Sequence, residues 1–116
     1  MLKGAATVVA RPDGTVFVNA TGNPGMAAGG MGDVLTGLIA GLITQGMDAS
    51  AAAQTGVYLH GLAADRMAQK KAPVGYLASE VSDTIPEAMD ELLTGGDHLP
   101  WPERDLLFYT MDPMGK

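Results

Sequence analysis

Two short runs of β-branched and apolar residues stand near the start of the chain, ATVVA at 6–10 and TVFVN at 15–19. Between them RPDG places Pro12, Asp13 and Gly14 in an order that suits a tight turn. The pattern predicts a β-hairpin from Ala6 to Asn19. From Thr21 to Gly32 glycine and proline interrupt any period, which predicts a loop with accessible backbone amides. Beyond it Val34, Leu35, Leu38, Ile39, Leu42 and Ile43 recur at the spacing of one helical face, with Gly46 as the C-terminal cap and Asp33 at or next to the N-cap. Gly37, Ala40 and Gly41 give this helix a stretch without side-chain bulk, which predicts close packing against another backbone.

Asp48 is a suitable N-cap for a second helix running to Gln69, whose interior is rich in small residues as a buried helix would be. A third helix is expected over 75–85, with Pro86 either breaking it or restarting it as the first residue of PEAMDELL. After Gly95 the sequence has no clear period and contains Pro100, Pro102 and Pro113, so an irregular tail is expected.

Composition narrows the function classes. The chain has 116 residues, one domain's worth or less, and is 47% hydrophobic but only 5% aromatic, so packing must rely on aliphatic side chains and close backbone approach. A formal charge of −6 works against an extended phosphate-backbone footprint, so no nucleic-acid partner is expected. A small anion is still compatible with that charge, because a helix N-terminus binds phosphate locally. The absence of cysteine excludes disulfides and thiolate metal sites and fits a reducing compartment. No run reaches the roughly 20 apolar residues of a membrane span and no secretory pattern opens the chain, so a soluble cytoplasmic protein without a membrane partner is expected.

The candidate chemistry concentrates in NPGMAAGGMGDVLTG, residues 23–37. Five of the chain's 16 glycines fall between Gly25 and Gly37, and a single carboxylate, Asp33, stands where loop becomes helix. An aspartate there can simply cap orphan amides. The glycine amides before it, however, are the donors an anion would use at a helix's positive end. A carboxylate beside a phosphate repels it unless it takes a proton from the group that attacks the phosphate, a kinase-like arrangement. The two commonest nucleotide motifs, GxxxxGK[ST] and a strand-borne GxGxxG, are absent. Lys3 reads in isolation as a solvated lysine, and His60 as a packed helical histidine.

From Leu2 to Leu92 the sequence resembles the C-terminal part of the ADP/ATP-dependent NAD(P)H-hydrate dehydratases, a branch of the ribokinase-like superfamily, and NPGMAAGGMGDVLTG carries most of the likeness. The resemblance implies an α/β fold, the C-terminal portion of a three-layer ribokinase-like domain: hairpin, glycine-rich loop, then three or more helices. It implies phosphorylation of the ring hydroxyl of hydrated NADH or NADPH by ADP or ATP, followed by loss of phosphate. Asp33 would then be the catalytic base beside the hydrated nicotinamide, and Gly29, Gly30 and Gly32 an anion hole for the transferring phosphoryl group. Lys3, Gly4, Ala5, Ala6 and Thr7, with Asn23 and Gly32, would bind the nucleotide. Mg²⁺ is implied by the phosphates rather than by any ligand cluster.

The resemblance further implies that the chain is about the last third of such a domain plus a tail, because the family's domain carries further N-terminal βαβ units. The expectation is therefore a partial dehydratase or kinase domain over 1–93, an irregular tail over 94–116, and either self-association or a separate N-terminal half. A small-molecule kinase of the same superfamily, or a non-catalytic nucleotide-binding remnant, are the alternative readings.

Overall fold

A computed structural model describes residues 7–94; Lys3, Gly4, Ala5 and Ala6, and the expected tail from 95 onward, lie outside the described residues. The hairpin forms where the alternation places it, as β1 (Val8–Ala10) and β2 (Val16–Val18) in antiparallel register, with Val9 opposite Phe17. Its turn is closed by the Thr15 amide, which donates to Asp13 Oδ1 at 2.8 Å. That bond holds the Asp13 carboxyl below its ordinary value. Gly14 has φ +91°, the left-handed backbone that glycine tolerates best.

Period-2 alternation sends Val9 and Phe17 to one face of the hairpin. Val9 is buried there with Leu35 and Val57. The other face stays open, and Val16 and Val18 are 58% and 57% exposed.

Three helices follow: α1 (Met31–Thr44), α2 (Ala49–Lys70) and α3 (Ala78–Thr94). α1 ends as expected at Gly46, where φ is +105° and the Gly46 and Met47 amides donate back to the carbonyls of Ile43 and Leu42. This pair of bonds is the Schellman stop. α2 starts at the expected cap, with Asp48 Oδ1 accepting from the Ala51 amide at 2.8 Å. From Ala51 to Ala64 it is buried on nearly every side. Its small residues bring neighbours close: a methyl on Gly56 would meet Ile39 of α1 at 2.6 Å, and one on Gly61 would meet Thr21 Oγ1 at 2.1 Å and the Thr21 carbonyl carbon at 2.7 Å. Leu59 of α2 and Val81 of α3, fully buried in one core cluster, each contribute about 1.5–3 kcal/mol. Along the outside of that packing Arg66 pairs with Glu91, Lys70 with Glu87 and Lys71 with Glu80.

Four expectations need correction. Asp33 is not the N-cap: Gly30, at φ +89°, occupies that position, and Asp33 is the third helical residue. The loop is not wholly irregular, since Pro24–Met26 form a 3-10 turn capped by Asn23. Gly37 and Gly41 pack against no backbone; among the described residues nothing lies within 4 Å of a methyl added at either. The close approaches fall instead on Gly56 and Gly61. The third helix begins at Ala78 rather than at 75 and runs through Pro86 without a break. Pro86 and Ser82 are both exposed, so the Ser82 carbonyl that the proline leaves unpaired faces water.

The glycines separate into two kinds with opposite expected responses. Gly61→Ala forces Thr21 off α2 and lowers stability by about 3 kcal/mol, whereas Gly37→Ala, in open space on an exposed helical turn, raises it by about 0.5–1 kcal/mol. Thermal unfolding followed by circular dichroism checks both, and a neutral Gly61→Ala would contradict the packing described.

Candidate active site

The glycine-rich segment lies between α2 and the 71–77 linker that leads into α3. Thr21 is fixed on α2 by its hydroxyl, 2.9 Å from the Tyr58 carbonyl. Buried Asn19 donates its Nδ2 to the Val57 carbonyl at 3.2 Å. The next turn is tied to α2 by Asp65, whose two oxygens accept from the Gly22 amide at 3.1 Å and from Asn23 Nδ2 at 2.9 Å. Asn23 Oδ1 in turn accepts from the Gly25 amide at 3.1 Å and from the Tyr76 hydroxyl of the linker. Gly25 must be glycine, because a methyl there would overlap the Tyr76 ring at 2.4 Å and the Pro73 carbonyl at 2.5 Å. Burial pushes the Tyr76 phenol up, against the downward pull of its bond to Asn23.

The chain then turns into α1. Gly29 and Gly30 are exposed, and the first amide to close the helical ladder is that of Val34, on the Gly30 carbonyl at 3.1 Å. Among the described residues no hydrogen-bond acceptor takes the amides of Gly29, Gly30, Gly32 or Asp33. Four open donors at the positive end of a 14-residue helix make a cradle of the kind that can take an anion. The start of α3 abuts the same place, since a methyl on Gly30 would stand 3.2 Å from Ala78 Cβ. That second N-terminus carries its own carboxylate: Glu80 Oε1 accepts from the Leu77 amide at 2.9 Å, and Lys71, followed by that amide, holds the Glu80 carboxyl below its ordinary value.

Beside the cradle is a cavity of about 540 Å³ lined by residues that include Thr7, Asn19, Asn23, Met31, Leu35 and His60. His60 is packed as expected, 4% exposed, and contributes a ring to the wall. Asp33 is exposed and does not line the cavity. At about 100° per residue it leaves α1 roughly 200° away from both Met31 and Leu35. The structure thus gathers Gly29, Gly30, Gly32 and Asp33 at one helix end and sets Thr7 and Asn23 in the adjoining cavity. No group of three or more histidines, cysteines or carboxylates among the described residues is placed to hold a metal ion. Asn19, Thr21, Asp65 and Tyr76 went unnoticed in the sequence; the signal was a set of polar residues in otherwise apolar surroundings, which only packing makes meaningful.

The sequence profile of the NAD(P)H-hydrate dehydratase family matches residues 1–87. The chain belongs to the NAD(P)H-hydrate dehydratase family. It is 50% identical over 92 residues to the bifunctional NAD(P)H-hydrate repair enzyme of Moorella thermoacetica, covering 79% of this chain and 17% of that protein. It is 42% identical over 95 residues to the ADP-dependent (S)-NAD(P)H-hydrate dehydratase of Xanthomonas campestris pv. campestris, covering 82% of this chain and 33% of that one. The crystal structure of the ADP/ATP-dependent NAD(P)H-hydrate dehydratase of Bacillus subtilis, co-crystallised with ATP/Mg²⁺, superposes with a TM-score of 0.73 at 41% identity, over 78% of this chain and 32% of that one. The α/β fold expected of a dehydratase fragment is therefore present, and the chain spans a third or less of these family members.

Proposed function

We propose that this chain supplies the nucleotide and phosphoryl-transfer portion of an ADP- or ATP-dependent dehydratase acting on hydrated NADH or NADPH. The observation that carries the reading is the set of open amides at Gly29, Gly30, Gly32 and Asp33 beside a cavity of nucleotide-compatible size. The cavity takes the nucleoside, with Thr7 and Asn23 on its wall; Lys3, Gly4, Ala5 and Ala6, which precede Thr7, extend the same nucleotide-binding segment. ADP or ATP supplies phosphoryl-transfer potential, which turns a poor leaving group, hydroxide, into phosphate. Mg²⁺ would be held by the phosphates of the nucleotide and would supply neutralisation of their charge.

The residues then divide the work. The amides of Gly29, Gly30 and Gly32 point fixed dipoles at the charge on the transferring group, stabilising it without reorganisation. Asp33, one turn into the helix and on the flank away from the cavity, accepts the proton of the substrate hydroxyl as that oxygen attacks the terminal phosphorus and AMP or ADP leaves with the broken P–O bond's electrons. Its exposure leaves its carboxylate open to a substrate arriving from outside the cavity. The metabolite-repair role and a cytoplasmic site of action follow from the same reading.

A chimera tests the catalytic assignment. In it, residues 1–87 replace the matching segment of the Bacillus subtilis dehydratase, and turnover of hydrated NADPH is measured with ADP or ATP. The chimera is expected to be active. Asp33→Asn in it is expected to lower turnover by about a hundredfold, with little change in stability at so exposed a position. Full activity in the asparagine variant would return Asp33 to a purely structural role.

The open hairpin face bears on partners. Val16 and Val18 form an exposed apolar pair on a two-stranded sheet, surface that in other proteins drives association. We infer that the chain associates with itself through this face. Light scattering at micromolar concentration is expected to show a species heavier than 11.9 kDa, and a monodisperse monomer would contradict this.

A further inference from the structure

We propose that Asp65 is a positioning residue that sets the geometry of the glycine turn from behind, through Asn23 and Tyr76; its functional consequence rests on the dehydratase reading. Asp65 is on α2 and does not line the cavity. Its carboxylate spans Gly22 and Asn23. Asn23 passes the constraint on in two directions. Its Oδ1 holds the Gly25 amide at the head of the 3-10 turn Pro24–Met26, whose carbonyls accept the Ala27 and Ala28 amides and so lead directly to Gly29. The same oxygen accepts the Tyr76 hydroxyl, two residues before Ala78, and Ala78 stands against Gly30. The turn that carries the open amides is therefore gripped on both sides, and both grips converge on a single carboxylate.

The polarity of the network is specific. Each Asp65 oxygen accepts one donor and Asn23 Oδ1 accepts two, and the only side-chain N–H donor between the two residues is Asn23 Nδ2. An amide at 65 offers one acceptor where two donors point, so Asp65→Asn must lose the bond to Gly22 or the bond to Asn23. Moving the carboxylate across the pair restores the count. In Asn23→Asp with Asp65→Asn, residue 65 donates to residue 23 and still accepts from Gly22, while residue 23 keeps Gly25 and Tyr76. Donor and acceptor numbers again match.

The test uses the full chain. Backbone order parameters from ¹⁵N relaxation are measured for Gly29, Gly30 and Gly32, with thermal unfolding recorded in parallel and ADP affinity measured by calorimetry. Asp65→Asn is expected to lower the order parameters of all three glycines from the rigid range near 0.85 toward about 0.6 while α1 and α3 stay ordered. ADP affinity is expected to fall about tenfold, the scale of one lost charge-assisted hydrogen bond. The double variant is expected to return the order parameters to the original values. Tyr76→Phe keeps the ring against Gly25 and removes one grip, so a smaller loss of order at Gly30 is expected and remains measurable if Asp65→Asn unfolds. Unchanged order at the three glycines in a folded Asp65→Asn, or a double variant as mobile as the single one, overturns the proposal. The relaxation arm needs no ligand, so a parent chain that fails to bind ADP counts against the dehydratase reading while the network is still decided.

Discussion

The approach of Thr21 to Gly61 is the constraint on which the rest depends. With a hydrogen in place of a side chain at Gly61, the loop lies directly on the α2 backbone, close enough for Thr21 and Asn19 to bond the carbonyls of Tyr58 and Val57. Those bonds fix where the loop leaves the hairpin, and Asp65, one turn further along α2, fixes where it goes next. The α1 N-terminus follows from that path, and with it the open amides and the exposure of Asp33. A helix of ordinary side-chain bulk in the α2 position would hold the loop away and break the Asn19 and Thr21 bonds to its carbonyls, at about 0.5–1.5 kcal/mol for each.

The same economy explains how so short a chain with few aromatic residues keeps an ordered site. α2 is buried on almost every side, and the alanines and glycines among its buried residues let neighbours pack close to its axis between Leu59, Leu62 and Met67. Further large side chains are packed onto it from its neighbours, as Leu35 and Leu42 from α1, Tyr76 from the linker and Val81 and Leu92 from α3. The exterior surface of the α2–α3 pair is then left to ion pairs, of which Arg66 with Glu91 is the least exposed and geometrically the fullest. Such half-exposed pairs contribute about 1 kcal/mol at most. They orient helices that the buried apolar residues already hold.

Elements with a strong local signature were legible in the sequence. The hairpin had alternation and a turn triplet, α2 had Asp48, and α1 had Gly46, and each is where its signature placed it. The errors came where tertiary contact decides. Pro86 reads as a breaker, yet α3 carries it on its wet face; Gly37 and Gly41 read as packing glycines, yet the glycines that pack are Gly56 and Gly61, which look no different in sequence. The glycine turn and Asp33 were visible as a motif, and the family match over residues 1–87 bears out the family assignment. Asp65 and Tyr76 were not visible, because their meaning lies in hydrogen bonds spanning 42 and 53 residues.

The central claim is that the glycine turn and the neighbouring cavity together form one nucleotide site within this segment of the family's domain. Titration of the ¹⁵N-labelled chain with Mg²⁺ and ADP measures it directly through amide chemical shifts. The account predicts that the amides of Gly29, Gly30, Gly32 and Asp33 move together with those of Thr7, Asn19, Asn23 and His60, along one saturation curve. Shifts confined to the Val16 and Val18 face, or none at the glycine turn while other residues saturate, would contradict it.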